Sequence, residues 1–343
     1  MKAIVIDAAR DLRIDELDEQ KPGPGEVAIK IAIGGICGSD LHYFNHGGIG
    51  DTIRLKEPMV LGHEVSGHIV SLGDGVTRLA IGDRVAVSPS RPCYDCSFCR
   101  QGQHNHCLNM RFYGSAMPYP HVQGAFREVL VANARQCVVA NTLSDGEAAM
   151  AEPLAVCLHA VRQAGPLLGK RVLITGSGPI GQLSLLSAKA SGAREIVVTD
   201  LVDYPLEFAR TLGADQAYNV GENNEALSGY QDKKGYFDIV FECSGAAPAL
   251  RTAVACTRPR GVIVQLGLGG DMQVPVQALT AKELELRGSF RFHEEFALAV
   301  ELMQKGVIDV RPLVSQTLPI DLAEEAFVLA SNRNEAMKTQ ISF

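Results

Sequence analysis

What the chain lacks narrows it first. Its 343 residues hold no run of like charge and no basic arm, and the formal net charge is −7. Nucleic acid, which is bound through clustered lysine and arginine, is therefore not an expected partner. No apolar stretch approaches membrane-spanning length, so no membrane association is expected. The opening MKAIVIDAARDLRI is broken by charge too early for a secretory signal, which makes the expected location cytoplasmic. Neither a solenoid-type repeat nor a low-complexity segment occurs.

What is present suits a globular chain of about two domains, with 46% hydrophobic and 21% charged residues. Up to about residue 140, short β-type runs are punctuated by glycine and proline: KAIVI, EVAIKIAI, HEVSGHIVSLG, DRVAVSP and FREVLVA. They predict an all-β, barrel-like unit with long loops. DGEAAMAEPLAVCLHAVRQAG then carries apolar residues at helical spacing. After GKR, strand-like VLITG, helical IGQLSLLSAKASG, strand-like EIVVTD and helical YPLEFARTLGA alternate, with further strands at FDIVFECSG and GVIVQLGLGG. That alternation predicts a doubly wound parallel sheet, and so an α/β chain. The tail adds helices from FRFHEEFALAVELMQKG and a last strand, KTQISF.

Three constellations carry chemistry. In VLITGSGPIG, Gly176, Gly178 and Gly181 stand at G-x-G-x-x-G spacing between a strand and a helix, with Pro179 and Ile180 in the turn. Such a turn lets backbone approach a pyrophosphate at a helix N-terminus. EIVVTD ends the next strand with Asp200, nineteen residues after Gly181, where a carboxylate can hold the adenosine ribose. No arginine follows it, so the expected cofactor is NAD, with NADP disfavoured.

The second constellation is dispersed. Cys37 follows an apolar strand, His63 and Glu64 sit in the glycine-bounded VLGHEVSG, and Glu152 opens a helix in AEPLAV. Thiolate, imidazole and carboxylate together suit a zinc ion that keeps one position open. Singly, each has a duller use: core filler, strand histidine, first-turn carboxylate.

The third is CYDCSFCRQGQHNHC, with Cys93, Cys96 and Cys99 at two-residue gaps and Cys107 seven residues on. In a reducing compartment thiols at this spacing point to metal rather than disulfides. Four thiolates close a tetrahedral site and make the ion structural. The uneven gaps do not match the runs that hold iron–sulfur clusters. His104 and His106 then stand by without ligating.

These motifs together resemble the zinc-containing medium-chain dehydrogenase family over the whole chain, through GICGSDLH, GHEVSG, GDRVAV, the four-cysteine lobe, GSGPIG and VQLG. The resemblance implies a GroES-like catalytic domain over 1–150, completed by 290–343, and a Rossmann domain over 151–289. It also implies two zinc ions per chain and NAD. One ion would be structural; the other would be catalytic, held by Cys37 and His63 with Glu64 and Glu152 binding directly or through water. Ser39 would take the alcohol proton, and His42 would pass it to solvent. Leu266, Gly267, Phe290 and Arg291 would join the glycine turn in holding cofactor.

EPLAV and GSFRF resemble the polyol branch, where the arginine matching Arg291 meets the residue matching Glu152. CGSDLHYF, PMVLGHEV, MRFYGSAM and RGSFRF are similar to bacterial members that act on sugar acids. The implied reaction is oxidation of L-idonate to 5-keto-D-gluconate, with neutral polyols such as sorbitol or xylitol the alternative. Tyr43, Arg111, Phe112, Glu152 and Arg291 are the substrate-facing candidates, Arg111 first for the carboxylate. A dimer or tetramer is implied as well. A non-catalytic NAD-binding protein on the same scaffold would have lost some of Cys37, Ser39, His63 and Glu152. A zinc-free quinone reductase would lack both metal constellations.

Overall fold

The computed structural model describes residues 1–223 and 225–343. Six strands form one parallel sheet in the spatial order Gln216–Asn219, Glu195–Asp200, Arg171–Thr175, Phe237–Glu242, Thr257–Gln265 and Glu285–Gly288. The two strands that begin the unit are buried without alternation: Val172, Leu173, Ile174, Val197 and Val198 are all fully covered. Such runs belong to a sheet packed on both faces, here by helices that include Pro179–Ala190, Asp203–Leu212 and Ala247–Cys256. The order reverses between Arg171–Thr175 and Phe237–Glu242, which opens a crevice beyond their carboxyl ends.

The other large sheet has seven strands. Its order is Cys137–Val139, Arg84–Val87, Glu64–Leu72, Glu26–Gly35, Lys338–Ser342 and Val314–Pro319, with Val129–Asn133 also paired to Glu26–Gly35. The final strand runs antiparallel to Glu26–Gly35, so the end of the chain lies beside Cys37. Ile29, Ile31, Phe44, Phe126 and Phe327 fill the core of this half. A second core runs from Met150 and Leu154 through Ile174, Leu183 and Phe241 to Phe292, Phe296 and Val300. Among the described residues no helix is long and apolar enough to cross a membrane.

Two local features depart from the pattern read above. The helix expected across residues 145–165 is two, Asp145–Ala149 and Ala151–Ala164, meeting at Met150. Pro153 causes the break, because it has no N–H for the carbonyl of Ala149 and its ring would crowd that carbonyl. Glu152 is thereby delivered in a first helical turn, buried. The strand-rich first half also holds a helix, Gly38–His46, whose first turn is closed by Asp40 reaching back to the backbone N–H of Cys37 at 3.0 Å.

Candidate active site

The strand Glu26–Gly35 ends just before Cys37, and the strand Glu64–Leu72 begins beside it, with Gly35 opposite Glu64. A Cβ on Gly35 would meet Glu64 Oε2 at 2.3 Å, so only glycine leaves room for that carboxylate. The register brings one donor atom each from Cys37, His63 and Glu64 within 4.8 Å of one another. Asp40, fully buried, faces His63 Nδ1 at 3.6 Å and also accepts from the backbone N–H groups of Cys37 and Gly62. From the last strand, Lys338 donates to Glu64 Oε1 at 2.7 Å and to the carbonyl of Ile36 at 3.0 Å.

Glu152 is buried against this group but outside the three-donor set. Burial pushes its carboxyl up to about 8; His63 opposes the rise, and Glu64 and Cys37 add to it. Burial likewise pushes the Cys37 thiol up to about 12, with Glu64 adding to the rise. A thiol and two carboxyls withdrawn from water beside one ammonium are short of positive charge, and a divalent cation supplies it. The donor set therefore fits zinc.

Around this centre, Ser39 Oγ stands 3.4 Å from His63 Nε2. His42 lies one turn along the same helix, its ring 5.9 Å from that of His46; burial and His46 hold it below the ordinary histidine range. Tyr43 is buried, and its hydroxyl accepts from the N–H of Ala116. Phe112 packs its ring 5.6 Å from His63. The Arg291 guanidinium lies 4.2 Å from the Phe112 ring and 4.9 Å from that of Phe290. Burial pulls Arg291 down to about 10, while Glu152 and Tyr43 push it back up. Among the described residues it makes no salt bridge. Arg111, by contrast, is exposed on a two-residue strand opposite Arg91.

The four lobe cysteines also gather, with their sulfur atoms within 4.8 Å of one another. Cys107 and Cys93 are 3.5 Å apart and Cys96 and Cys107 4.0 Å, against about 3.8 Å for thiolates at tetrahedral corners around zinc. All nine cysteines are free, so the lobe holds no disulfide. Backbone N–H groups of Cys93, Cys96, Leu108 and Asn109 point at the sulfurs. Backbone hydrogen bonds hold the Cys93 and Cys96 thiols below the ordinary range, whereas burial pushes that of Cys99 up. His104 instead stacks on His293 at 4.0 Å and stays out of the sulfur group. Asn105 donates to the carbonyl of Phe290 and so ties the lobe to the segment that carries Arg291.

In the crevice of the parallel sheet, a Cβ on Gly181 would lie 1.9 Å from the carbonyl of Gly176, so glycine is required for the helix to close on the turn. Nothing lies within 4 Å of a Cβ built on Gly178, which faces open space beside Pro179 and Ile180. A cleft near that crevice is lined by His106, His159, Gln265, Leu266, Gly267 and Phe290. Buried Glu242 accepts from Thr175, Ser244, Gly245 and Gln265, which fixes the ends of three adjacent strands. A bare turn at a helix N-terminus, open to a cleft, fits a dinucleotide.

Comparison with known proteins agrees. The model of the alcohol dehydrogenase GroES-like domain matches residues 23–142, and that of the zinc-binding dehydrogenases matches 179–305. L-idonate 5-dehydrogenase (NAD(P)(+)) of Escherichia coli K12 is 44% identical over 92% of this chain and 91% of its own. The chain belongs to the zinc-binding dehydrogenases. The crystal structure of the E. coli idonate enzyme superposes on this dehydrogenase with a TM-score of 0.95 at 41% identity, covering 100% of this chain and 98% of that one. Sorbitol dehydrogenase of Gallus gallus is 36% identical over 99% of this chain and 95% of its own. A short chain alcohol dehydrogenase from E. coli CFT073, crystallised with NADH, gives a TM-score of 0.90 at 29% identity, covering 100% and 99%.

Several residues of this dehydrogenase's clefts escaped the sequence reading. Asp40 carried a usable signal, an acid three residues after the residue that caps its helix. Glu242 and Lys338 carried none, since Thr175 and Gln265 reach Glu242, and Glu64 meets Lys338, only in the fold.

Proposed function

We propose that this dehydrogenase oxidises a secondary hydroxyl of a sugar acid, L-idonate to 5-keto-D-gluconate, and passes hydride to NAD. When bound, zinc polarises the substrate hydroxyl and the nicotinamide accepts the hydride. Cys37, His63 and Glu64 hold the metal, with Glu152, the second carboxylate, as an exchangeable or water-bridged fourth ligand. Asp40, 3.6 Å from Nδ1, is the carboxylate placed to orient His63 once a metal engages the ring. Ser39 takes the alcohol proton, and His42 passes it outward. Gly176, Gly178 and Gly181 cradle the pyrophosphate, and Leu266, Gly267 and Phe290 flank the nicotinamide half. Cys93, Cys96, Cys99 and Cys107 hold a second, structural zinc.

The observation that carries the substrate class is Arg291. Its guanidinium is half-enclosed by Phe112 and Phe290, Phe112 being the ring that also packs against His63, without a salt-bridge partner among the described residues. A desolvated arginine fork is the group that recognises a carboxylate. Arg111, being exposed, is the weaker candidate. The 44% identity to the E. coli idonate enzyme supports the same choice. Neutral polyols are the second reading, favoured by the attraction between Arg291 and Glu152, which would leave the fork engaged within the protein.

We assign residues 1–150 with 290–343 to the catalytic unit and 151–289 to the cofactor unit. A homo-oligomer is supported by the open edge of the parallel sheet at Glu285–Gly288, with Leu286 exposed, and a cytoplasmic location by nine free cysteines. The test is product analysis. Zinc-loaded protein with NAD and L-idonate should yield one ketone, at C5, by NMR; no oxidation of L-idonate, or oxidation elsewhere, overturns the assignment.

A further inference from the structure

Asp200 stands at the end of the second strand of the parallel sheet, where the proposed cofactor's adenosine ribose would lie. Its carboxylate is already fully engaged. Oδ2 accepts from the N–H of Ser177 at 2.6 Å, and Oδ1 from the N–H groups of Leu201 at 2.7 Å and Val202 at 3.2 Å. Arg333 Nη2 reaches both oxygens at 2.8 Å. A carboxylate offers about four acceptor directions, and five contacts consume them. The backbone donors are fixed by the turn, so Arg333 is the partner that can leave.

Arg333 comes from 133 residues downstream, just past the helix Ala323–Ala330, in the segment that leads to the last strand of the other sheet. The ion pair therefore bridges the two sheets. The Asp200 side chain is 2% exposed, whereas that of Arg333 is 55% exposed. Only Nη2 of the guanidinium is engaged, and the N–H donors of Nε and Nη1 have no hydrogen-bond partner among the described residues. Asp200 alone would repel a ribose 2′-phosphate; an arginine with spare donors, seated on that carboxylate, would attract one.

We infer that Arg333 determines cofactor specificity, as an exchangeable cap on Asp200. With NAD, the ribose hydroxyls displace Arg333 and take Asp200. With NADP, Arg333 stays at the mouth and binds the 2′-phosphate. The pair narrows the preference for NAD that Asp200 alone would set. The inference rests on the dinucleotide reading of the crevice.

The test uses adenosine fragments on the whole protein, read by calorimetry because the chain has no tryptophan to report binding. Arg333→Met should weaken 2′,5′-ADP by roughly tenfold or more while binding 5′-AMP no more weakly than wild type does. Arg333→Lys, which keeps the charge but loses the fork, should recover part of the 2′,5′-ADP affinity and shows that loss in the Met variant is not misfolding. Unchanged 2′,5′-ADP binding in Arg333→Met, or equal weakening of both fragments, overturns the role of Arg333 and leaves the dehydrogenase reading intact. A wild type that binds neither fragment overturns both.

Discussion

Lys338 and Glu64, 274 residues apart in sequence, form a buried ion pair at 2.7 Å beside Cys37 and His63. The strand that ends the chain thus supplies the counter-charge to the site that its early strands build. Removing one member of such a pair strands the other. Lys338→Met should destabilise the metal-free protein by about 3 to 5 kcal/mol. Zinc binding should restore part of that loss, because the ion becomes the partner of Glu64. Calorimetric melting of the variant with and without zinc measures both effects; an equal loss in the two forms would show that Glu64 does not sense the metal.

The two metal sites should separate cleanly. We expect two zinc ions per chain by elemental analysis, with a chelator stripping the site at Cys37 and His63 first. Cys37→Ser should abolish turnover with little change in melting temperature, whereas Cys93→Ser should lower the melting temperature. One zinc per chain, or turnover without metal, would contradict this division.

Arg291 should matter to charged substrates and Arg111 should not. Arg291→Met should cut kcat/KM for a sugar acid by roughly a hundredfold, and for a neutral polyol by less than about tenfold. Arg111→Met, on an exposed strand, should leave both within about threefold. Equal losses on both substrates in Arg291→Met would instead point to the Glu152 partnership as its main role.

Glu295 gives a pH dependence with a definite sign. Burial would raise its carboxyl, but hydrogen bonds from His159 at 3.1 Å and from the His293 N–H at 3.0 Å outweigh it and hold the group at about 2. A carboxyl held below its unfolded value stabilises the fold above that value and loses the effect as pH falls towards 2. Glu295→Gln should therefore cost about 2 to 3 kcal/mol at neutral pH, a gap that narrows steadily as pH falls from about 5 towards 2. A gap that is independent of pH would mean the pair acts through shape alone.

Legibility followed the sequence distance between partners. The glycine turn and the four-cysteine lobe each lie within fifteen residues, so spacing alone exposed their chemistry. Cys37, His63 and Glu152 became readable only as a set, because each residue type is common in isolation. Strand and helix alternation from Arg171 onward was plain, since buried apolar runs and glycine turns repeat there. The helix Gly38–His46 was hidden by its histidines, asparagine and flanking glycines, and the break at Met150 by an apolar pattern that continues through Pro153. Lys338 and Arg333 were invisible: a lysine and an arginine near the end of a chain carry no mark of Glu64 or Asp200. The absence of an arginine after Asp200 was a true local observation, and the fold supplies one from elsewhere.

The most direct test of the account is the initial rate of NADH formation by the zinc-loaded protein across L-idonate, D-gluconate, sorbitol and xylitol. Oxidation of a sugar acid at a site with a desolvated arginine predicts kcat/KM for L-idonate at least about tenfold above that for either neutral polyol. A protein faster on sorbitol or xylitol than on any sugar acid would contradict it.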